Sequence, residues 1–156
     1  MVATVEVVEF LLGGERYALD IHLVREIVEM IQITPIPRAP SYISGVINLR
    51  GEITNIMNLN TMLGLVHQDQ RENQKIIVLV PEAVSGSNVG IIVDDVIGVL
   101  QIAENNIERL GEGLASEVSD FVKGIIKLKR DDADKKSTSL IIWIDMQKVI
   151  DEVAKK

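Results

Sequence analysis

Tyr42-Ile43-Ser44-Gly45-Val46-Ile47-Asn48-Leu49-Arg50 and Phe121-Val122-Lys123-Gly124-Ile125-Ile126-Lys127-Leu128-Lys129 are two versions of one pattern. Each begins with an aromatic residue and continues β-branched, polar, Gly, two β-branched, polar, Leu and a base. Each precedes a turn, another strand and a helical turn with apolar residues, Met62-Leu63 in one case and Val149-Ile150 in the other. Their separation is too long for a solenoid repeat. The echo predicts two similar β-rich subdomains, with chance likeness between Val/Ile strands as the competing explanation. Val and Ile dominate the apolar residues while aromatics make up 3%. Side chains branched at Cβ suit a pleated sheet and lose rotamer freedom in a helix.

Outward from these segments, strands are expected at Val5 to Leu12, Arg16 to Leu19 and Ile43 to Leu49. Gly13-Gly14 is a hairpin turn. Asp20 is placed to cap a helical turn through Arg25, and Ile27 to Ile33 is extended. Pro35, Pro37 and Pro40 forbid a helix. Arg50-Gly51-Glu52 turns into a strand on which Ile53, Asn55, Met57 and Leu59 share a face. Thr61 to Leu65 reads as a helical turn and His67 to Gln74 as a polar linker. Further strands are expected at Ile76 to Val80, Val89 to Val93, Val96 to Ile102, Phe121 to Leu128 and Leu140 to Ile144. Between them lie a Ser/Gly loop at Ser85 to Asn88, a helical turn at Glu104 to Leu110, a loop at Gly111 to Asp120, and a charged loop from Arg130 to Ser139. Met146, Val149, Ile150 and Val153 follow the spacing of an amphipathic helix that starts at Asp145. The chain thus reads as one domain over 1–156. Its approximate subdomains are 13–70 and 71–145, sharing strand 5–12, and a terminal helix spans 146–154.

The net charge of −7 repels phosphate backbones and anionic lipid. Lys127, Lys129 and Arg130 form the one candidate basic patch, and Asp131, Asp132 and Asp134 largely neutralise it. With two Phe, two Tyr and one Trp, stacking aromatics for a nucleic-acid barrel are scarce. The absence of cysteine excludes disulfides and thiolate chemistry. No apolar run reaches the ~20 residues of a membrane span, and Glu6 and Glu9 interrupt any signal-peptide core. A soluble, cytoplasmic protein is expected.

Candidate chemistry is thin. Asp94 and Asp95 are adjacent on an extended segment and point to opposite faces, so they do not converge on one substrate atom. A polar strand end is the plainer reading. His22 and His67 have no accompanying ligand cluster and read as surface residues. Gly111-Glu112-Gly113 lacks the rest of a phosphate-binding pattern, and Pro37-Arg38-Ala39-Pro40 reads as a rigid connection. No catalytic residue, metal or cofactor is expected. Such a chain is expected to be a binding module using apolar patches and sheet ends.

Gly45-Val46-Ile47-Asn48-Leu49-Arg50-Gly51 resembles the signature of the CheW family. The likeness extends through Phe10-Leu11-Leu12, Tyr17 to Ile21, Val24-Arg25-Glu26-Ile27, Ile33 to Pro37, Ile53 to Leu59, Val89 to Asp94 and Val96 to Leu100. The polar stretch Asp131 to Ser139 is longer than a minimal hairpin of the family. The resemblance implies a mainly β fold of two packed five-stranded SH3-like barrels with short helices and a C-terminal helix. It implies a non-enzymatic adaptor joining the cytoplasmic tip of a chemoreceptor to the regulatory domain of the chemotaxis histidine kinase, recruited to receptor arrays. By the same likeness, Val24, Arg50, Ile76 and Val99 occupy receptor-contact positions, and Glu26 and Gly45 match kinase-contact positions. On the residues alone, Val24, Ile76 and Val99 fit core packing equally well, and Arg50 fits a solvated turn. A generic β-barrel scaffold in another signalling or transport system is the alternative function.

Overall fold

The computed structural model describes residues 3–65, 74–84, 86–108, 121–132 and 135–154, with the backbone alone at 129–132, 135–138 and 153–154. His67, the linker around it, the whole of the expected 111–120 loop and the acidic and basic side chains from Lys129 to Asp134 lie outside what is described.

Among the described residues, eleven strands and two helices follow in order. They are β1 Thr4–Leu12, β2 Glu15–Asp20, β3 Val24–Glu29, β4 Ile43–Leu49, β5 Glu52–Asn58, α1 Leu59–Met62, β6 Lys75–Leu79, β7 Val89–Val93, β8 Asp95–Ala103, β9 Ile107–Glu108, β10 Val122–Asp132, β11 Lys135–Ile144 and α2 Met146–Ala154. One sheet has the order β8-β1-β2-β11-β10-β9 and the other β3-β6-β7-β5-β4. The expectation of a mainly β chain with two related units and few helices holds. The strand counts are six and five, however, and hydrogen bonding closes neither sheet into a barrel among the described residues.

The echo is structural. From β3 and from β8 inward, both sheets run antiparallel, antiparallel, parallel, antiparallel. The equivalences β3/β8, β4/β10, β5/β11, β6/β1 and β7/β2 follow. Register shifts recur at matching points, Ile43/Gly45 against Val122/Gly124 and Val24/Glu26 against Val96/Gly98. The sheets do not divide the chain near residue 70: β6 and β7 join β3–β5, while the N-terminal hairpin β1–β2 completes the sheet of β8–β11. A strand joins whichever edge its apolar faces can cover, whatever its place in the sequence.

Three clusters account for the Val/Ile excess. Ile77, Leu79 and Ile91 of one sheet meet Val8, Phe10, Leu19 and Ile144 of the other in a shared core, closed by Leu59 of α1 and by Met146 and Val149 of α2. The outer faces build their own cores, Val7, Ile126, Ile141 and Trp143 in one sheet and Ile47, Ile56, Ile76 and Ile92 in the other. Alternate residues of β6 therefore serve different cores, and strands buried on both faces read as unbroken apolar runs. The terminal helix forms as expected, with the Asp145 carboxylate accepting from Lys148 N at 3.2 Å, and Ile150 packs against the shared core. The side chain of Val153 lies outside the described ones.

Several local expectations change. Leu59, expected on the strand with Ile53, Asn55 and Met57, opens α1 instead. The turn after Asp20 covers only Ile21–Leu23, and Asp20 makes no cap hydrogen bond, because its oxygens are taken by Trp143 and Lys123. Extended pairing from Ile27 stops at Glu29 and resumes only at the Thr34–Val46 bridge. The turn at Glu104–Asn106 is brief, and Ile107–Glu108 instead pairs with β10. The described residues 130–132 and 135–139 continue strands β10 and β11, and the backbone register sets Asp131 opposite Lys136 and Asp132 opposite Lys135.

Candidate functional site

The hairpin β4–β5 turns on Arg50 (φ 52°) and Gly51 (φ 84°), both left-handed. A two-residue turn between right-twisted strands needs positive φ at both central positions, so Arg50 accepts a conformation glycine holds more easily. The Asn48 side chain accepts from Gly51 N at 2.8 Å and steadies the turn. The turn carries the guanidinium to β3, where Arg50 Nη2 donates to the Glu26 carboxylate. Arg25 Nε lies 3.8 Å from the same Glu26 oxygen, and its Nη1 lies 3.8 Å from Glu52 Oε2. Asn88 Nδ2 donates to that Glu52 oxygen at 3.3 Å. The hydrogen bond from Arg50 to Glu26, then the charges of Glu26 and Glu52, raise the Arg50 pKa above its ordinary value. The Arg50 side chain remains 63% exposed, so the network is accessible to a partner.

The other expected site residues separate by burial. Ile76 is fully buried between Val28 and Ile92 and presents no atom to a partner. Val24 is half-buried and packs against the shared core at the start of β3. Val99 is 57% exposed on the edge strand β8. Gly45 is buried, and a Cβ there would sit 2.2 Å from Thr34 O, so glycine is required by the backbone of the Thr34–Val46 bridge. Sequence reasoning singled out Arg50 and Glu26 separately, and the fold joins them.

It also missed several surface positions. Ile27 lies opposite Ile77 as Val99 lies opposite Val8, so Ile27 is the positional equivalent of Val99, and it too is exposed. Ile53 and Leu140 form a second equivalent pair, 62% and 57% exposed. The signal that could have found them was the echo itself, extended strand by strand.

The remaining candidates have structural duties. Asp94 is buried and its Oδ2 accepts from Gly13 N at 2.7 Å, while Asp95 Oδ1 accepts from Val96 N at 2.8 Å. His22 is exposed, 3.9 Å from Asp20. Among the described residues no group of three or more His, Cys, Asp or Glu could hold a metal ion, and no helix is long and apolar enough to cross a membrane.

Comparison with known proteins agrees with this geometry. Residues 6–154 match the model of the CheW-like domain. The chemotaxis protein CheW of Thermotoga maritima is 30% identical over 151 residues, covering 97% of this chain and 91% of that protein. The chemotaxis protein CheW of Treponema pallidum is 29% identical, covering 92% and 81%. The crystal structure of the scaffolding protein TtCheW from Thermoanaerobacter tengcongensis superimposes with a TM-score of 0.72 at 34% identity, covering 92% of this chain and 90% of that one. Two related β-sheets around a shared core, carrying the Gly45 to Gly51 hairpin, are therefore those of a chain that belongs to the CheW-like domain family.

Proposed function

We propose that this chain is a chemotaxis coupling scaffold, holding the cytoplasmic tip of a chemoreceptor against the regulatory domain of the chemotaxis histidine kinase in the cytoplasm, at receptor arrays. The observation that carries the reading is the family match over 6–154, supported by relatives matched over most of their length that are themselves named chemotaxis protein CheW. The scaffold changes no bonds and needs no cofactor or metal. It contributes binding energy at two surfaces and passes on the receptor's state through differential contact.

Val24, Arg50 and Val99 form the receptor contact, extended by the exposed Ile27. Ile76 supports that surface from within, since its side chain is buried. Glu26 contributes to the kinase contact, and Gly45 does so by holding the Thr34–Val46 bridge. Because Arg50 and Glu26 are paired, a partner drawing on either charge competes with the other.

Co-purification with a receptor cytoplasmic fragment and the kinase regulatory domain tests the proposal. A ternary complex is expected. Binding to neither partner, or binding in which one displaces the other, overturns it.

A further inference from the structure

We infer that Asp20 and Asp94 are positioning residues of the receptor-facing surface: buried carboxylates at the two crossings between the sheets, they set where the edge strands β3 and β8 begin. The inference rests on the coupling function proposed above.

In the described chain, strand succession passes between sheets twice, from β2 to β3 and from β7 to β8. A buried aspartate stands at each crossing, Asp20 at 7% exposure and Asp94 at 4%. Asp20 Oδ1 accepts from Trp143 Nε1 at 2.6 Å and Oδ2 accepts from Lys123 Nζ at 2.6 Å, fastening the first crossing to β10 and β11. Lys123 Nζ also lies 5.0 Å from the centroid of the Trp143 ring. At the second crossing, Asp94 Oδ2 accepts from Gly13 N at 2.7 Å and Asp94 N donates to Leu11 O at 2.9 Å. Both crossings are thus held to the six-stranded sheet by directional bonds, and charge-assisted bonds are the stronger kind.

The internal echo shows that core packing does not require the first of these carboxylates. Asp20 faces Val7 in the register, and the equivalent residue facing Ile76 is Ile92. Lys123 and Trp143 correspond in the same way to Ser44 and Ile56. An apolar residue therefore serves at this position in one sheet. Buried ion pairs replaced by well-packed apolar groups often leave stability unchanged or raised. What the carboxylate adds is direction. The shared core is non-directional contact across which packed layers can slide, whereas the crossings have defined donors and acceptors. Directly beyond them, Val24 and Val96 rest on the shared core, and the exposed Ile27 and Val99 follow on β3 and β8.

The chain has no cysteine, so Ile27→Cys and Val99→Cys accept a pair of spin labels without background. Pulsed electron resonance distances between them, thermal melts, and affinity for a receptor cytoplasmic fragment (measured on the unlabelled protein) are compared across three proteins. These are the wild type, Asp20→Ile with Lys123→Ser (the residues of the equivalent positions), and Asp94→Ala. The expected result is a cooperative melt, a shifted or broadened label distance, and an affinity lower by about fivefold or more. An unchanged distance distribution overturns the inference, as does a shifted distribution with unchanged affinity. Loss of cooperative melting in both variants makes the carboxylates structural and also overturns it. If the wild type binds no receptor fragment, the coupling function itself fails, while the label distances still decide whether the carboxylates position β3 and β8.

Discussion

Replacing Gly45 by alanine forces a methyl group to within 2.2 Å of Thr34 O and 2.8 Å of Ile33 Cγ2, closer than the 3.0 Å below which real Cβ contacts essentially never fall. The Thr34 backbone must retreat by nearly an ångström. That movement breaks the bonds from Thr34 N to Val46 O and from Val46 N to Thr34 O, both 2.9 Å. Two such bonds contribute about 2 kcal/mol net. The φ of +145° is strained for any residue with a Cβ and adds about 1–3 kcal/mol. The expected loss is about 3–5 kcal/mol in total. Gly124 is the internal control. It occupies the equivalent bulge, but its nearest contacts would be 2.9 Å, to Glu108 O and Ile107 Cγ2, and its φ lies outside the left-handed region. Gly124→Ala should cost about 1–2 kcal/mol from overpacking. Urea unfolding followed by the fluorescence of the single tryptophan measures both. A Gly45→Ala loss below about 1 kcal/mol refutes the reasoning. So does a Gly124→Ala loss as large as that at Gly45. A stable Gly45→Ala protein that fails to bind kinase would instead make Gly45 a direct contact.

Arg50→Glu and Glu26→Arg should each weaken binding of a receptor fragment and of the kinase regulatory domain, and the double exchange should recover part of both by restoring the pair. A double variant no better than either single one shows that the pair is not a functional unit. Met146→Ala, at a side chain 1% exposed in the shared core, should destabilise by about 2–5 kcal/mol, and an unchanged denaturation midpoint would contradict the packing of α2. Burial, with the charge of Glu15 second, raises the Tyr17 pKa above its ordinary 10.0, so the folded state keeps that proton longer than the unfolded chain does. This contribution is complete below pH 10 and is lost as pH climbs through the folded-state value. Tyrosinate absorbance should show Tyr17 titrating late, and Tyr17→Phe should remove both that titration and its share of the alkaline stability loss.

Much of the fold was legible because its signals are local. Gly13-Gly14 and Arg50-Gly51 mark hairpins through positive φ, and the α2 face repeats at helical spacing. The Arg130 to Ser139 segment misled because composition suggests a loop, while the backbone pairing of β10 with β11 runs on to Asp132 and Lys135. Asp20 misled for a related reason. A cap uses the nearest backbone donors, and nothing nearby in the sequence announces that Trp143 and Lys123 will claim both oxygens.

By itself the sequence determined the β character, the hairpins, the terminal helix and, through the echo of Gly45 and Gly124, the presence of two like halves. Period-two alternation and left-handed turn residues act over a few residues, and the echo is a repeat of residue types, so all of these can be read there. Only the tertiary structure decided which hairpin completes which sheet, that Arg50 meets Glu26, and that Ile76 is buried while Ile27, Val99, Ile53 and Leu140 are not. Ile76 and Val99 are both β-branched residues in β-branched strands, indistinguishable locally. The difference is that β6 lies between β3 and β7, whereas β8 is an edge. Burial is a property of the neighbours a strand acquires, and those neighbours come from distant parts of the chain.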